Sequence, residues 1–361
     1  MSRPILIMAG GTGGHVFPAL ALARLLRAQS LEVVWLGTER GLESRLIPAE
    51  GIPIERLSVG GLRGKGLLAW LGAPFRLSVA LAQALSVMRR YRPLVVVGLG
   101  GFVTGPGGVA AWLARRPLII HEQNAVAGFT NRCLAHLARQ VLEAFPGSFG
   151  RDVHARVIGN PVRADISAVA PPATRFAGRA GPVRLLVFGG SQGAARLNAV
   201  VPFALARLAG VLAFEVRHQA GERWLEAGRA RYAQAGVRAD VRAFIEEMGE
   251  AYGWADLVVC RAGALTVSEL AAAGVGAVLV PFPGAVDDHQ AHNAQHLVRA
   301  GAAVVIADRE LTAERLAAEL QRLCAGRGKL LAMAERARQL AKPRAADELA
   351  ASCLALARRA A

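Results

Sequence analysis

The strongest constraint on the fold is a repeated alternation between short apolar runs and longer stretches rich in Ala, Leu and Arg. Short Val, Ile and Leu runs are typical of buried parallel strands, and the stretches between them have the length and composition of helices. The alternation therefore predicts an α/β protein built from βα units. The predicted strands are residues 5–8, 32–36, 94–97, 118–121, 141–143, 185–188, 214–218, 257–260 and 277–281, and helices are predicted at 18–29 and 197–208.

Two segments about 180 residues apart open in the same way. Residues 5–14 and 185–193 each read as an apolar strand, a glycine turn and the start of an Ala- and Leu-rich helix. A chain of 361 residues has room for two domains. We therefore expect two Rossmann-like domains facing each other across a cleft, residues 1–162 and 163–342. After the break at Lys342-Pro343, a last helix within 343–361 is expected to pack back onto the first domain.

Composition excludes several classes of protein. The four cysteines form no CxxC pair, so a disulfide scaffold and a zinc ribbon are both disfavoured and a reducing compartment is expected. The N-terminus lacks the apolar region and cleavage site of a signal peptide. The uncharged run 93–114 carries six glycines and two prolines, which argues for strand and loop over a membrane-spanning helix. We expect a soluble, cytosolic type of protein.

The net charge of +16 first suggests that the protein binds nucleic acid. No recognised nucleic-acid-binding motif accompanies this charge, so nucleic acid is not expected as a partner. Residues 56–121 hold nine basic side chains and no Asp or Glu. Such a stretch with interspersed apolar residues predicts binding to an anionic membrane surface; the alternative is an ordinary core helix with a solvated arginine face. The apolar residues in question are Leu67, Leu68, Trp70, Leu71, Phe75, Leu77, Val79, Leu81, Leu85 and Val87.

Three glycine-rich segments follow predicted strands: residues 10–14, 100–108 and 189–193. Glycines at a strand-to-helix junction let backbone N–H groups approach a phosphate closely. None of the three reads GxGxxG with an acidic residue about twenty positions on, and none is a P-loop. A dinucleotide oxidoreductase is therefore disfavoured, while at least one phosphate site is expected.

Polar residues near these turns are candidates for chemistry. His15 directly follows the first turn and is a candidate general base, the alternative being a histidine that merely begins a helix. Glu269, placed in a first helical turn, suits a ribose diol or simply complements the helix dipole. His289, His292 and His296 share a helical spacing, but without a nearby Cys or an HExxH motif they are a poor metal site. No metal and no cofactor are expected.

Several motifs together resemble one family, the MurG group of bacterial glycosyltransferases. They are Gly10-Gly11-Thr12-Gly13-Gly14-His15-Val16-Phe17-Pro18-Ala19, Gly41-Leu42-Glu43, residues 61–66, residues 100–108, His121-Glu122-Gln123-Asn124, residues 159–163, residues 189–194, residues 261–269, Asp287-Asp288-His289-Gln290 and Asn293-Ala294. These motifs cover both halves in family order. One departure is Cys260, where the family often has Ser.

The resemblance implies a GT-B fold and inverting transfer of GlcNAc from UDP-GlcNAc to the muramyl 4-hydroxyl of lipid I, giving lipid II. It also implies roles in cell-wall biogenesis, cell shape and cell division, at the cytoplasmic face of the inner membrane, with a cell-wall synthesis complex as a partner. The candidate catalytic residues are His15, because it ends the first glycine turn, and, as the next candidate base, Glu122. Carried over by position, the substrate-binding residues are Thr12, Gly13, Gly14, Asn124, Arg163, Ser191, Ile245, Ala264, Leu265, Thr266, Val267, Ser268, Glu269 and Gln290.

Within that set, the backbone near Ile245 would meet uracil, Glu269 the ribose, and Ser191 with Arg163 the diphosphate. Thr12 to Gly14 would face the acceptor pyrophosphate. The chain has no Asp-x-Asp, so a helix N-terminus after residues 189–193 would neutralise the leaving diphosphate. Two rival functions remain: a GT-B transferase acting on another lipid such as diacylglycerol, and a non-catalytic nucleotide-sugar binding subunit.

Overall fold

The computed structural model describes residues 3–60, 73–190, 193–285 and 288–360. The chain divides into two compact units. Unit 1 comprises Met1–Arg163 together with Pro343–Ala361, and unit 2 comprises Ala164–Lys342.

Unit 1 contains a parallel sheet of seven strands among its described residues, in the order β3-β2-β1-β4-β5-β6-β7. The strands are β1 Ile5–Met8, β2 Val33–Thr38, β3 Ile54–Leu57, β4 Val95–Gly98, β5 Leu118–Glu122, β6 Gln140–Glu143 and β7 Arg156–Val157. The helices of this unit are Gly13–Ala28, Glu43–Ala49, Ala73–Tyr91, Thr104–Leu113, Phe129–Ala135 and the C-terminal helix Ala345–Ala360.

Strand β1 is buried on both faces, which explains its uninterrupted apolar sequence. Ile5 and Ile7 pack with the helix Gly13–Ala28 and the C-terminal helix, which contributes Leu349. Leu6 and Met8 point to the opposite face, as the two-residue period of a strand requires. The sheet is therefore covered by helices on both sides.

Unit 2 contains a parallel sheet of six strands among its described residues, in the order β10-β9-β8-β11-β12-β13. The strands are β8 Val183–Phe188, β9 Phe214–Gln219, β10 Asp240–Arg242, β11 Leu257–Cys260, β12 Gly276–Leu279 and β13 Ala303–Val305. The helices are Ala164–Ser167, Pro172–Phe176, Ala195–Ala206, Leu225–Gln234, Met248–Trp254, Ala264–Ala273, His289–Arg299, Ala313–Cys324 and Arg327–Gln339, with 3-10 turns at Glu222–Trp224 and Asp308–Glu310.

The two sheets share one strand order. In each, the first strand of the unit lies between the second and the fourth, which is the Rossmann arrangement. The order reverses between β1 and β4 in unit 1 and between β8 and β11 in unit 2. Ligands bind outside the carboxyl ends of the strands at such a point. The α/β prediction with two Rossmann-like sheets is confirmed.

Two local predictions were wrong. The first helix begins at Gly13 and not at Pro18, so Gly13, Gly14 and His15 form its first turn. Only the first part of the segment 100–108 is a turn, because the helix Thr104–Leu113 begins within the segment. A Cβ at Gly107 would lie 2.3 Å from Sδ of Met8, so this glycine permits close packing of helix on sheet.

Candidate active site

The first glycine turn of unit 1 is held by a buried carboxylate. Glu43 is fully buried and accepts hydrogen bonds from the Gly11 N–H at 2.9 Å and from the Thr38 N–H and hydroxyl at 2.9 and 2.7 Å. A Cβ at Gly41 would lie 2.0 Å from a Glu43 oxygen, so only glycine fits there. The buried Glu43 carboxylate thus fixes the conformation of this turn.

The 16-residue helix Gly13–Ala28 begins directly after this turn. Thr12 is its N-cap residue, but the Thr12 side chain makes no capping hydrogen bond. Backbone N–H groups at such an uncapped start are donors for an anion, and the helix dipole adds positive potential. The predicted residues Thr12, Gly13 and Gly14 form this helix start, and an anion such as a pyrophosphate is the class of ligand that such a start binds.

His15 lies in this first helical turn and is partly exposed. Its Nδ1 atom lies 2.9 Å from Oε1 of Gln123, a residue 108 positions along the chain. The loop after β4 passes close to the ring, since a Cβ at Gly100 would lie 2.5 Å from His15 Nδ1. Gly100 has a φ of +109°, a conformation that glycine adopts readily. The imidazole is therefore held by backbone on one side and by an amide on another.

Gln123 belongs to a buried polar group at the end of β5. Its Nε2 atom lies 3.0 Å from Nδ1 of His121 and 3.0 Å from the His121 carbonyl oxygen. The other ring nitrogen of His121, Nε2, lies 2.9 Å from the carbonyl oxygen of Gly159. Burial lowers the pKa of His121, so this ring is neutral near pH 7.

Glu122 organises the loop that follows β5. One carboxylate oxygen accepts from the backbone N–H and the side-chain amide of Asn124, at 2.9 and 3.1 Å. The other accepts from the Gly128 N–H at 3.2 Å and from the Asn131 amide at 2.8 Å. Both oxygens of this buried carboxylate are therefore engaged by donors. Asn124, a predicted sugar-binding residue, is tied to the same carboxylate.

In unit 2, the glycine turn 189–193 follows β8, although Ser191 lies outside the described residues. A Cβ at Gly193 would lie 1.9 Å from the Ala220 carbonyl oxygen, so the backbone is closely packed here. Gln219 donates to the Gly190 carbonyl oxygen at 2.9 Å and accepts from the Ile245 N–H at 2.8 Å. The structure thus brings the predicted uracil-binding residue Ile245 to the predicted diphosphate turn.

Glu269 lies in the second turn of the helix Ala264–Ala273, so its expected place in a first helical turn was wrong. The Tyr252 hydroxyl donates to its Oε2 atom at 3.0 Å and orients the carboxylate. This helix also has an N-terminus without a side-chain cap. The other predicted residues of the segment divide by burial: Ala264 and Val267 are buried, whereas Leu265, Thr266 and Ser268 are partly exposed.

Gln290 and Arg261 shape the loop after β12. The Gln290 Oε1 atom accepts from the Phe282 N–H at 2.9 Å. Arg261 donates to the carbonyl oxygens of Val280 and Pro281 at 3.2 Å and to Asp308 at 2.5 Å. Sequence reasoning did not single out Arg261, although it directly precedes Ala262-Gly263 at the end of β11. Its position in front of a glycine at a strand end was the available signal.

The remaining predicted residue, Arg163, closes unit 1 and is partly exposed. Among the described residues, no group of three or more His, Cys, Asp or Glu is placed to hold a metal ion. His289, His292 and His296 all lie on the helix His289–Arg299. Burial, together with the charges of Lys342 and Arg299, lowers the pKa of His296.

Two family domains match the chain. The Glycosyltransferase family 28 N-terminal domain matches residues 5–143, and the Glycosyltransferase family 28 C-terminal domain matches residues 184–349. A protein of Alkalilimnicola ehrlichii is 59% identical over 99% of this chain and 100% of its own length, and one of Marinobacter nauticus is 57% identical over 98% and 97%. Both are named UDP-N-acetylglucosamine–N-acetylmuramyl-(pentapeptide) pyrophosphoryl-undecaprenol N-acetylglucosamine transferase.

A solved structure extends this likeness to three dimensions. The crystal structure of Acinetobacter baumannii MurG matches with a TM-score of 0.86 and 41% identity, covering 98% of this chain and 100% of that one. The predicted GT-B fold is thereby confirmed.

Proposed function

The chain belongs to glycosyltransferase family 28, and we propose that it transfers N-acetylglucosamine from UDP-GlcNAc to the muramyl 4-hydroxyl of lipid I, giving lipid II and UDP. The observation that carries this proposal is identity above 55% over nearly the whole chain to relatives named for that transfer. A transfer of this kind supplies the disaccharide unit of peptidoglycan.

Unit 1 has the features of an acceptor site. The uncapped helix start at Thr12 to Gly14 offers N–H donors to the pyrophosphate of lipid I. His15 lies one residue further on and serves as the general base. As the muramyl oxygen forms its bond to the anomeric carbon of GlcNAc, its proton passes to the His15 imidazole.

Unit 2 has the features of a donor site. The bond between the anomeric carbon and the β-phosphate oxygen breaks with its electron pair going to UDP, through an oxocarbenium-like state. Backbone donors after the turn 189–193 stabilise the negative charge that UDP gains. Glu269, oriented by Tyr252, accepts hydrogen bonds from the ribose hydroxyls.

Glu122 fits a supporting role better than that of a base. Four donors already occupy its two oxygens. Taking up a proton would break some of these bonds, at a cost of about 1.5–3 kcal/mol for each charged hydrogen bond. We therefore assign Glu122 to holding Asn124 and the loop after β5.

A direct test offers UDP-GlcNAc labelled in the sugar together with either a lipid I analogue or diacylglycerol, and identifies the product by mass spectrometry. We expect label only on the muramyl lipid. Label on diacylglycerol would support the rival lipid transferase, and no transfer to either lipid would support the binding subunit.

We further propose that unit 1 binds an anionic membrane surface, where lipid I resides. Eight of the eleven large apolar residues exposed among the described residues belong to unit 1: Phe17, Phe75, Leu77, Val79, Phe102, Trp112, Leu113 and Phe129. Phe75 is 74% exposed and neighbours the exposed Arg76 on the helix Ala73–Tyr91. Partly inserted apolar side chains beside cations are typical of peripheral membrane binding.

Some residues of the predicted membrane-binding stretch pack in the core of unit 1 or form an ion pair. Val87 is buried, and Leu81 and Leu85 pack against the core of unit 1, as the alternative reading held. Residues 67–71 lie outside the described residues. Arg90 forms an ion pair with Glu55 at 2.9 Å, so it is a poor choice for a test. Among the described residues, no helix is long and apolar enough to cross a bilayer.

Co-sedimentation with vesicles tests this membrane proposal. Arg76→Glu with Arg89→Glu is expected to weaken binding to phosphatidylglycerol vesicles by roughly tenfold or more, since each basic residue near such a surface contributes about 1 kcal/mol. The matched control is Arg231→Glu with Arg238→Glu, an exposed pair on unit 2. Equal binding of wild type to neutral phosphatidylcholine vesicles would contradict the proposal.

A further inference from the structure

Three consecutive hydrogen bonds connect the backbone at Gly159 to the imidazole of His15. They run from the Gly159 carbonyl to His121, from His121 to Gln123, and from Gln123 to His15, at 2.9, 3.0 and 2.9 Å. His121 and Gln123 are both buried, whereas His15 is partly exposed. The donor and the acceptor of each of these three hydrogen bonds follow from the chemistry of the groups involved.

The direction is fixed at the first end by a backbone carbonyl. The Gly159 oxygen only accepts hydrogen bonds, so the His121 Nε2 atom must carry the proton and donate. Since the His121 ring is neutral, its Nδ1 atom then has a lone pair and accepts. His121 is thereby held in one tautomer.

A second backbone carbonyl fixes Gln123. Its Nε2 atom donates both to His121 Nδ1 and to the His121 carbonyl oxygen. A carbonyl oxygen accepts only, so the amide cannot be turned over without placing two oxygens against each other. The Gln123 oxygen must therefore face His15, and at 2.9 Å it accepts a hydrogen bond from the His15 Nδ1–H group.

Resting on the proposed function, we propose that Gln123 and His121 are positioning residues that hold neutral His15 in its Nδ1–H tautomer. The free lone pair then lies on Nε2, the only ring nitrogen left to take a proton from the muramyl hydroxyl. The hydrogen bond on one imidazole nitrogen determines the state of the other. Gly100 supports the same arrangement, because its lack of a side chain leaves room beside Nδ1.

The proposal is tested first without substrate, by ¹⁵N NMR of the full chain labelled in its eight histidines. The His15 signals are identified by their absence in His15→Gln. At about pH 8.5, well above the ordinary range in which imidazoles are charged, we expect a protonated Nδ1 and an unprotonated Nε2. The opposite tautomer in the wild-type protein would overturn the proposal. Because no activity is measured, this result is independent of which acceptor the enzyme uses.

Two variants of nearly equal size then separate tautomer control from packing. Gln123→Met removes all three hydrogen bonds of the Gln123 side chain, whereas Gln123→Glu keeps an oxygen that accepts from His15. We expect the Nδ1–H tautomer to persist in Gln123→Glu and to give way to a mixture in Gln123→Met. A tautomer unchanged in folded Gln123→Met would overturn the proposal.

Kinetics give the matching readout. Gln123→Met is expected to lower kcat by about tenfold or more, since a wrong histidine tautomer costs about 10⁴-fold in serine proteases. Its KM for UDP-GlcNAc is expected to stay within about twofold, because Gln123 supports the base and not the donor. A retained kcat in the presence of a mixed tautomer would show that the tautomer does not matter and would overturn the proposal. If the wild-type protein transferred no GlcNAc to lipid I, that result would instead count against the proposed function.

Discussion

His121 of unit 1 and His218 of unit 2 are buried strand histidines that make the same pattern of hydrogen bonds. The His218 Nε2 atom faces Asn198 Oδ1 at 3.0 Å, and that oxygen is identified because the Asn198 amide donates to the Ala220 carbonyl. The His218 Nδ1 atom lies 2.9 Å from the Tyr232 hydroxyl. Burial lowers the pKa of both histidines, that of His218 to about 3.

The two groups differ in where they end. In unit 1 the hydrogen bonds lead through Gln123 to the partly exposed His15, whereas in unit 2 they end on Tyr232, which is 3% exposed. Under the proposed function, the first group positions the base, whereas the second lies wholly within the core. Both buried histidines have a lowered pKa, so burial and a shifted pKa do not distinguish the two groups; the exposure of the residue at the end of each network does.

The largest expected effect falls on the end of the unit 1 network. His15→Ala should lower kcat by about 10²–10⁴-fold, the usual contribution of a positioned base. Its affinity for UDP, measured by calorimetry, should not change. The control is His136→Ala, which replaces an exposed histidine of the same unit. A loss below tenfold would mean that another group is the base.

Replacing each buried histidine in turn tests the comparison itself. His121→Phe removes the hydrogen bonds to the Gly159 carbonyl and to one N–H of Gln123. His218→Phe removes those to Asn198 and Tyr232, so each variant loses two buried hydrogen bonds and should reduce the free energy of unfolding by about 2–4 kcal/mol. Only His121→Phe should also lower kcat in assays run well below its melting temperature. The two roles would not be distinct if His218→Phe reduced kcat to the same extent.

A smaller effect is expected at the donor site of unit 2. Glu269→Ala should weaken UDP binding by about 1.5–3 kcal/mol, the range for a charged hydrogen bond lost from a partly buried site. Calorimetry with UDP measures this directly, with Glu226→Ala as an exposed control on the same unit. Unchanged affinity for UDP would remove Glu269 from the ribose site.

The smallest effect is a dependence of stability on pH. Below pH 6.5 an unfolded histidine takes up a proton, whereas folded His218 stays neutral down to about pH 3. The unfolded state then binds more protons, so stability falls as the pH is lowered, by at most about 1.4 kcal/mol per pH unit for each such histidine. Denaturant unfolding at pH 7 and pH 5 should show a smaller difference in His218→Phe than in wild type. An equal difference would contradict the neutral state of His218.

The sequence was most informative about strands buried on both faces. Ile5–Met8 and Leu257–Cys260 were predicted with their observed bounds because their apolar runs are uninterrupted. The strands that were missed are β3, β7, β10 and β13, and these are the four edges of the two sheets. An edge strand is partly solvated and can carry polar residues, as the Asp240–Arg242 strand does, so that strand gives no apolar run. The Ala303–Val305 strand is apolar but only three residues long, which is too short a run to indicate a strand.

The candidate site could be predicted in its parts but not in its connections. His15 and Glu269 could be predicted from motifs, because a histidine or a carboxylate near a glycine turn at a strand end is recognisable in the sequence itself. The hydrogen bonds from Gly159 through His121 and Gln123 to His15 join residues up to 108 positions apart. Such contacts are created by strand order and have no local signal. Burial of Val267, which the motif had placed among the binding residues, likewise depends on how its helix packs.

The most direct test of the central claim is the rate of UDP release from UDP-GlcNAc with and without a lipid I analogue. A transferase with its base in unit 1 and its donor site in unit 2 should release UDP only when the acceptor is present. His15→Ala should abolish most of that acceptor-dependent rate. Release at the same rate without acceptor, or an unchanged rate in His15→Ala, would contradict the account.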